Sequence, residues 1–296
     1  MKILITGGTG LLGKALIESK NNNDEIVATY LGNYTMADDE GMKYLKLDIL
    51  DFEGHIRIFR DFKPEVVIHT ASIGSPDYAE QHKDLTWAIN VNGTDNMVDL
   101  CNRFGAKFIY ISSNGIYDGN NAPYGEDDIA NPINYYGQIK LEGENRSKKA
   151  KNEYAIVRPI LMYGWNNDLE RANIVSMSLV KLKNCEKVYA YDDVFCNPLL
   201  SNECAKAIWE IIEKKMTGSF NIAGAERVSI FDLIRRTAKV FGFDGRLVNP
   251  VRQGYFNELV KRPIDTSYNT IKMETILKIK PLSLDEGLGL MKAAKK

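Results

Sequence analysis

The chain has 296 residues, with 38 Lys and Arg against 39 Asp and Glu, for a formal net charge of −1. Such a balance lacks the broad positive field by which proteins hold nucleic acid or anionic membrane, so neither partner is expected. No apolar run reaches the roughly 18 to 20 residues of a bilayer span and the apolar stretch after Lys2 is too short for a secretory signal, which makes a cytoplasmic location the expectation.

Taken in chain order, the first half alternates short β-branched runs with longer amphipathic ones. Residues 2–6 read as a buried strand, "LLGKALIESK" as a helix, 25–30 and 43–47 as strands, and "FEGHIRIFRDF" as a helix stopped by the following Lys-Pro. Residues 65–71 form a strand, 81–104 a long helix, 106–113 a strand too apolar to have a wet face, 135–150 a helix, and 154–159 a strand. Strands buried on both faces and separated by helices require a parallel sheet, so the expected fold is a doubly wound α/β sheet of the Rossmann kind over residues 1–158. After Pro159 the pattern loosens. Helices near 172–183, 202–214, 229–241 and 267–277 alternate with short strands such as 219–223. That is the pattern of a smaller, mainly helical substrate lobe over 159–296, partly interleaved with the first domain. The cysteines Cys101, Cys185, Cys196 and Cys204 and the histidines His55, His69 and His82 share no ligand spacing, so neither a disulfide nor a metal site is expected.

"ILITGGTGLLG" sets Gly7, Gly10 and Gly13 three apart, after a strand and before a helix. Glycine suits each place: a tight turn, close approach of a pyrophosphate to bare backbone, and close packing of the helix on the sheet. The context points to a dinucleotide cofactor. The end of the second strand, "TYLGN" at 29–33, carries no acid to hold the ribose 2′-hydroxyl of NAD. No Lys or Arg lies between Lys20 and Lys43 to clamp a 2′-phosphate either, so the preference for NADP over NAD is slight. Asp48, closing the next strand, is placed to accept from an adenine amino group, or else to serve as a turn residue.

In "NYYGQIKLEGE", Tyr136 and Lys140 lie four apart, on one helix face and one turn from each other. Spacing alone says little, since 15 tyrosines in a lysine-rich chain give about one such pair by chance. Tyr268 and Lys272 repeat it late in the sequence, away from any strand that could carry a partner. The helix of Tyr136 instead follows a strand ending in Ser112 and Ser113, and such strand ends are where ligands bind in these sheets. Bringing a phenol from about 10 toward 7 requires roughly 4 kcal/mol. An ammonium about 6 Å away supplies on the order of 3 kcal/mol at an effective dielectric near 20. Lys140 is therefore expected to lower the pKa of Tyr136, with Ser113 donating to the substrate oxygen and Tyr135 packing elsewhere.

Together "TGGTGLLG", "HTAS" (69–72), "NVNGT" (90–94), "YISS" (110–113), "YGQIK" (136–140) and "RPILMYG" (158–164) resemble the extended short-chain dehydrogenase/reductase superfamily. Within it, the stretch from "YISSNGIYDG" to "YGQIKLEGE" and the late "RPIDTSYNTIKMETILKIKPLSLDEGL" are most similar to the dTDP-4-dehydrorhamnose reductase family, a branch that also contains the regulatory β subunit of methionine adenosyltransferase. The resemblance spans nearly the whole chain. It implies hydride transfer from NAD(P)H to the C4 ketone of a nucleotide-linked 4-keto-6-deoxysugar, with Tyr136 as proton donor. It also implies that Thr9, Gly10, Leu11 and Leu12 meet the pyrophosphate, and Asp48 and Ile49 the adenine. Thr70, Ala71 and Ser72 would line the cofactor, Asn90 would support the strand ends, and Lys140 would hold the nicotinamide ribose.

The chain departs from that pattern at Leu161, where the family has a tryptophan, at Asn114-Gly115, where it has Asp-Tyr, and at Pro198-Leu199, where it has Pro-Thr. Trp165 either replaces the lost ring or packs between the lobes. Arg252, Lys261 and Arg262 either meet a nucleotide diphosphate or are solvated. Two other readings stay open: an NAD-retaining epimerase or dehydratase, the second of which would want an acid where Asn114 stands, and a cofactor-binding regulatory subunit. Helices flanking such sheets often pair, which would make a homodimer.

Overall fold

The computed structural model describes residues 1–167 and 170–294. β1 (Lys2–Thr6) runs into α1 (Leu11–Glu18), followed by β2 (Glu25–Tyr30), β3 (Met42–Lys46), α2 (Phe52–Asp61) and β4 (Val66–His69). The chain continues through α3 (Pro76–Gln81), α4 (Lys83–Trp87), α5 (Gly93–Phe104), β5 (Lys107–Ile111), α6 (Tyr135–Ser147) and β6 (Tyr154–Pro159). Next come β7 (Met162–Tyr163), α7 (Ile174–Lys183), β8 (Val188–Tyr191), β9 (Phe195–Cys196), β10 (Leu199–Leu200) and α8 (Ser201–Glu213). β11 (Gly218–Ile222), β12 (Val228–Ser229), α9 (Ile230–Phe241), β13 (Val248–Val251) and α10 (Leu284–Ala294) complete it.

Seven strands form one sheet in the order β11-β6-β5-β4-β1-β2-β3, every neighbour parallel. The apolar runs explain it: Ile3 and Ile5 point into one core while Leu4 points into another, so β1 is buried on both faces, as a parallel strand between helical layers must be. This is the doubly wound α/β sheet expected from the alternation. β11 lies beyond Pro159 yet pairs with β6, and α8 returns to α1, where Trp209 Nε1 donates to Ser19 Oγ at 3.0 Å. From the β1–β4 pair the chain winds outward in opposite directions, which opens a crevice at the carboxyl ends of those two strands.

Two helices differ from expectation. The long helix of 81–104 is broken: His82 leaves the helical region at φ −127°, and Ala88–Asn92 is a wide π turn before α5. The extra residue of such a turn redirects a side chain. Here buried Asn90 accepts from the Ile73 N–H at 2.8 Å and donates to the Ile73 carbonyl at 3.0 Å, holding the loop after β4. The helix of 267–277 shrinks to a final wide turn at Met273–Leu277. The Asn197 amide pairs with both the N–H and the carbonyl of Tyr268, at 3.0 Å each, and keeps that residue extended. No helix among the described residues is long and apolar enough to cross a membrane.

Candidate active site

The glycine loop after β1 is shaped by contacts that forbid side chains. Gly7 has φ +71°, and a Cβ there would lie 2.8 Å from Thr70 Oγ1, pressing the loop against the turn after β4. A Cβ on Gly13 would meet the Gly7 carbonyl at 2.4 Å, so α1 starts directly on the loop. Gly10 faces open space except for the Gly7 carbonyl at 3.4 Å, and it caps α1 with no side-chain bond. The first-turn amides of α1 are thus left for an anion in the cleft. These features fit a dinucleotide, whose pyrophosphate needs bare backbone and unpaired N–H groups.

The cleft above the strand ends has a volume of about 1350 Å³. Gly7, Thr9, Gly10, Leu11, Leu12 and Gly13 line its floor, Asp48 and Ile49 one end, and Thr70, Ala71 and Ser72 the middle. Ser113, Tyr136 and Lys140 line the other end. Of the catalytic and cofactor residues expected from the sequence, Asn90 stands back from the wall and acts through Ile73.

Local sequence places the reactive groups. Asn134 caps α6 by accepting from the Gly137 N–H at 2.9 Å. A Cβ on Gly137 would come within 2.1 Å of the Gly115 carbonyl, so only glycine lets α6 start against the turn that carries Ser113. Lys140, one turn along α6, is buried and donates to Ser72 Oγ at 3.1 Å and to the Ile111 carbonyl at 3.0 Å. Burial pulls its pKa down to about 8, partly opposed by the Glu144 carboxylate. Tyr135 turns away, donating to the Lys83 carbonyl at 3.2 Å with the Lys83 ammonium 5.3 Å from its ring centre.

The expected lowering of the Tyr136 pKa is corrected here. Burial raises it, and the groups that pull it back are the Ser113 hydroxyl and the Arg171 guanidinium rather than Lys140. In this cleft desolvation of the phenolate outweighs the attraction of a lysine that is itself desolvated. The phenol is therefore held protonated near neutrality, which is the form a proton donor needs.

Several cleft contacts have no local signature. Asn114 Nδ2 donates to Thr266 Oγ1 at 2.6 Å, tying the Ser113 turn to a segment 152 positions away. Thr9 Oγ1 donates to Glu170 Oε1 at 2.5 Å, and the Tyr34 hydroxyl donates to the same oxygen. Behind α6, the buried Glu144 carboxylate accepts from Ser112 Oγ at 2.6 Å and from Arg158 Nε and Nη2 at 2.8 and 2.7 Å. Glu144 could have been found in the sequence, because it continues the four-residue spacing of Tyr136 and Lys140 along one helix face.

The residues with open roles fall on both sides. Trp165 does not line this cleft; its indole donates to the Met291 carbonyl at 2.6 Å and stands edge-on to Phe241, so it replaces no ring there and packs against α9 and α10, both beyond residue 159. Arg262 lines the cleft and bonds Asp77 at 2.5 Å, whereas Arg252 is solvated, 4.0 Å from Asp192. Lys261 offers its backbone carbonyl to Asn134 at 3.1 Å. Leu161 lines the cleft and Leu199 pairs with Met162 across β10 and β7. Tyr268 and Lys272 lie away from the cleft, but not away from strands: Lys272 donates to the Ser219 carbonyl of β11 at 2.6 Å. No cluster of three metal-ligating side chains occurs among the described residues.

Residues 1–295 match the family described as the RmlD substrate binding domain. The chain is 30% identical to methionine adenosyltransferase 2 subunit beta of Bos taurus over 283 residues, covering 93% of this chain and 82% of that one. Among solved structures, a dTDP-4-dehydrorhamnose reductase of Clostridium acetobutylicum superposes with a TM-score of 0.87 at 28% identity, covering 99% of each chain. Another from Bacillus anthracis, in complex with NADP, gives a TM-score of 0.85 at 25% identity and covers 99% of this chain and 98% of that one.

Proposed function

Because this chain belongs to the family of the RmlD substrate binding domain, we propose that it is an NAD(P)H-dependent reductase of a nucleotide-linked 4-keto-6-deoxysugar, of the extended short-chain dehydrogenase/reductase type. The observation that carries the reading is the grouping of Ser113, Tyr136 and Lys140 at the far end of a cleft floored by the glycine loop. The nicotinamide, when bound, supplies the hydride. Tyr136, kept protonated by burial, gives its proton to the oxygen that was the C4 ketone. Ser113 holds that oxygen by a hydrogen bond and with the Arg171 guanidinium favours the phenolate left behind, while Lys140, fixed by Ser72 and Ile111, takes the ribose hydroxyls. Glycine-loop backbone and the first turn of α1 receive the pyrophosphate, Asp48 and Ile49 the adenine, and residues beyond 159 the sugar nucleotide.

One measurement tests this directly: incubation of the purified protein with NADPH or NADH and a panel of nucleotide-4-ketosugars. One equivalent of reduced-nicotinamide absorbance lost per sugar reduced is the expected result. Isomerised sugar with no net oxidation would replace the reading by an epimerase; a dehydratase is already disfavoured by Asn114, since an amide there is no acid or base. A second reading is favoured by the likeness to methionine adenosyltransferase 2 subunit beta: a cofactor-binding regulatory subunit. Inert sugars, bound cofactor, and an altered rate of a methionine adenosyltransferase catalytic subunit would select it.

A further inference from the structure

A carboxylate stands at the adenosine end of the cleft although the sequence offers none there. The end of β2 runs Thr29-Tyr30-Leu31-Gly32-Asn33, and in Rossmann folds the acid that accepts from the ribose 2′-hydroxyl of NAD stands at such a strand end. Glu170, 140 positions after Tyr30, lines this part of the cleft. Its Oε1 accepts from Thr9 Oγ1 of the glycine loop at 2.5 Å and from the hydroxyl of Tyr34, just beyond β2. Tyr34 is itself held in place by stacking on Tyr30, with ring centres 5.4 Å apart and planes 16° apart. The two donors come from the two segments that flank an adenosine ribose in this fold, one from the glycine loop and one from the end of the second strand. Oε2 has no partner among the described residues.

We propose that Glu170 is the cofactor-selecting residue: its carboxylate accepts from the adenosine ribose hydroxyl of NAD(H) and excludes the 2′-phosphate of NADP(H). The proposal rests on the reading of the cleft as a dinucleotide site and goes beyond it. It also reverses the slight tilt to NADP drawn from the bare end of β2, since the acid is supplied from a distant part of the chain. Two negative groups at one small site repel, whereas a hydroxyl donating to a carboxylate makes a charge-assisted bond. Lys46, bonded to the loop after β2, donates to Asn33 Oδ1 at 3.2 Å from an exposed position and does not line the cleft, and Arg171, which does, acts on Tyr136. Lys46 is therefore placed to hold the loop rather than to receive a phosphate from within.

Equilibrium titrations with NADH and NADPH, followed by reduced-nicotinamide fluorescence, test this without turnover. Wild-type protein is expected to bind NADH on the order of ten-fold more tightly than NADPH. Glu170→Gln should bring the two dissociation constants together, chiefly by tightening NADPH. Tyr34→Phe, which removes a donor but leaves the carboxylate, should keep the preference for NADH, and Lys46→Ala should leave it unchanged. Tighter binding of NADPH by the wild type, an unchanged ratio in Glu170→Gln, or an equal loss of selectivity in Tyr34→Phe would overturn the proposal while leaving the dinucleotide reading intact. Wild-type protein that binds neither nucleotide would remove the dinucleotide reading, and Glu170's role with it.

Discussion

The sequence contains the same spacing twice, a tyrosine with a lysine four residues later, at 136/140 and at 268/272, the first on α6 and the second with its tyrosine held extended. At the first, the tyrosine lines an open cleft, the lysine reaches the ends of two parallel strands, and a serine hydroxyl pulls the phenol's pKa back down. At the second, the tyrosine is 3% exposed, stands edge-on to Tyr117, and the lysine sits over Phe220 while capping a β11 carbonyl. Both phenols are raised in pKa by burial, so desolvation does not distinguish them. Access to a ligand does, and access is set by the sheet rather than by the helix.

Substitutions can break that contrast, and the largest effect belongs to the cleft. Tyr136→Phe should cost about 10²- to 10⁴-fold in kcat/KM with cofactor binding retained, the range for loss of a general acid. An undiminished rate would take Tyr136 out of the chemistry. Next in size is Arg158→Ala, which acts on the scaffold shared by both regions: Arg158 holds Glu144 of α6 and bonds the Tyr117 hydroxyl at 3.0 Å. Stranding a buried carboxylate should lower stability by about 3 to 5 kcal/mol, read by denaturant unfolding.

The pH dependence sharpens the contrast further. The Lys140 pKa is lowered from 10.5 to about 8, so kcat/KM should fall as pH rises through about 8, when the buried ammonium that would hold the ribose hydroxyls is lost. Stability moves the other way. From about 8 to about 10.5 the unfolded chain holds a proton that the folded chain has released, so this residue's contribution to stability rises with pH across that window and is flat outside it. Lys140→Ala should abolish that stability change, lower the rate, and weaken cofactor binding. The smallest effect is expected of Tyr268→Phe, which deletes a buried hydroxyl with no partner among the described residues. Its stability should change by no more than about 1 kcal/mol, with kcat/KM unaltered.

Much of the fold was legible because burial on both faces of a strand forces apolar residues at every position, as in β1 and β5, and that pattern is local. The glycine loop was legible for a related reason: Gly13 meets a steric limit set within a few residues and Gly7 one set by the turn after β4, the strand beside β1 in the sheet. What escaped was non-local. Nothing around residue 170 signals that a glutamate there reaches Thr9, nor does Asn114 announce Thr266, because both contacts join segments more than 150 residues apart. The long helix of 81–104 failed differently: a single extra residue in a π turn leaves the hydrophobic pattern nearly unchanged while turning Asn90 toward Ile73. The misjudged direction of the Tyr136 shift has the same root, since the degree of desolvation depends on walls from distant parts of the chain.

The central claim is that the Tyr136 phenol delivers the proton that completes hydride transfer to a sugar ketone. The most direct measurement supplies a reduced nicotinamide cofactor deuterated at its transferable position, with a nucleotide-4-ketosugar, to the wild type, Tyr136→Phe and Tyr268→Phe, and reads the sugar product by mass spectrometry. One deuterium per sugar from the wild type and Tyr268→Phe, and almost none from a Tyr136→Phe protein that still binds the cofactor, is the predicted result. Deuterium incorporated by Tyr136→Phe at the wild-type rate would contradict it.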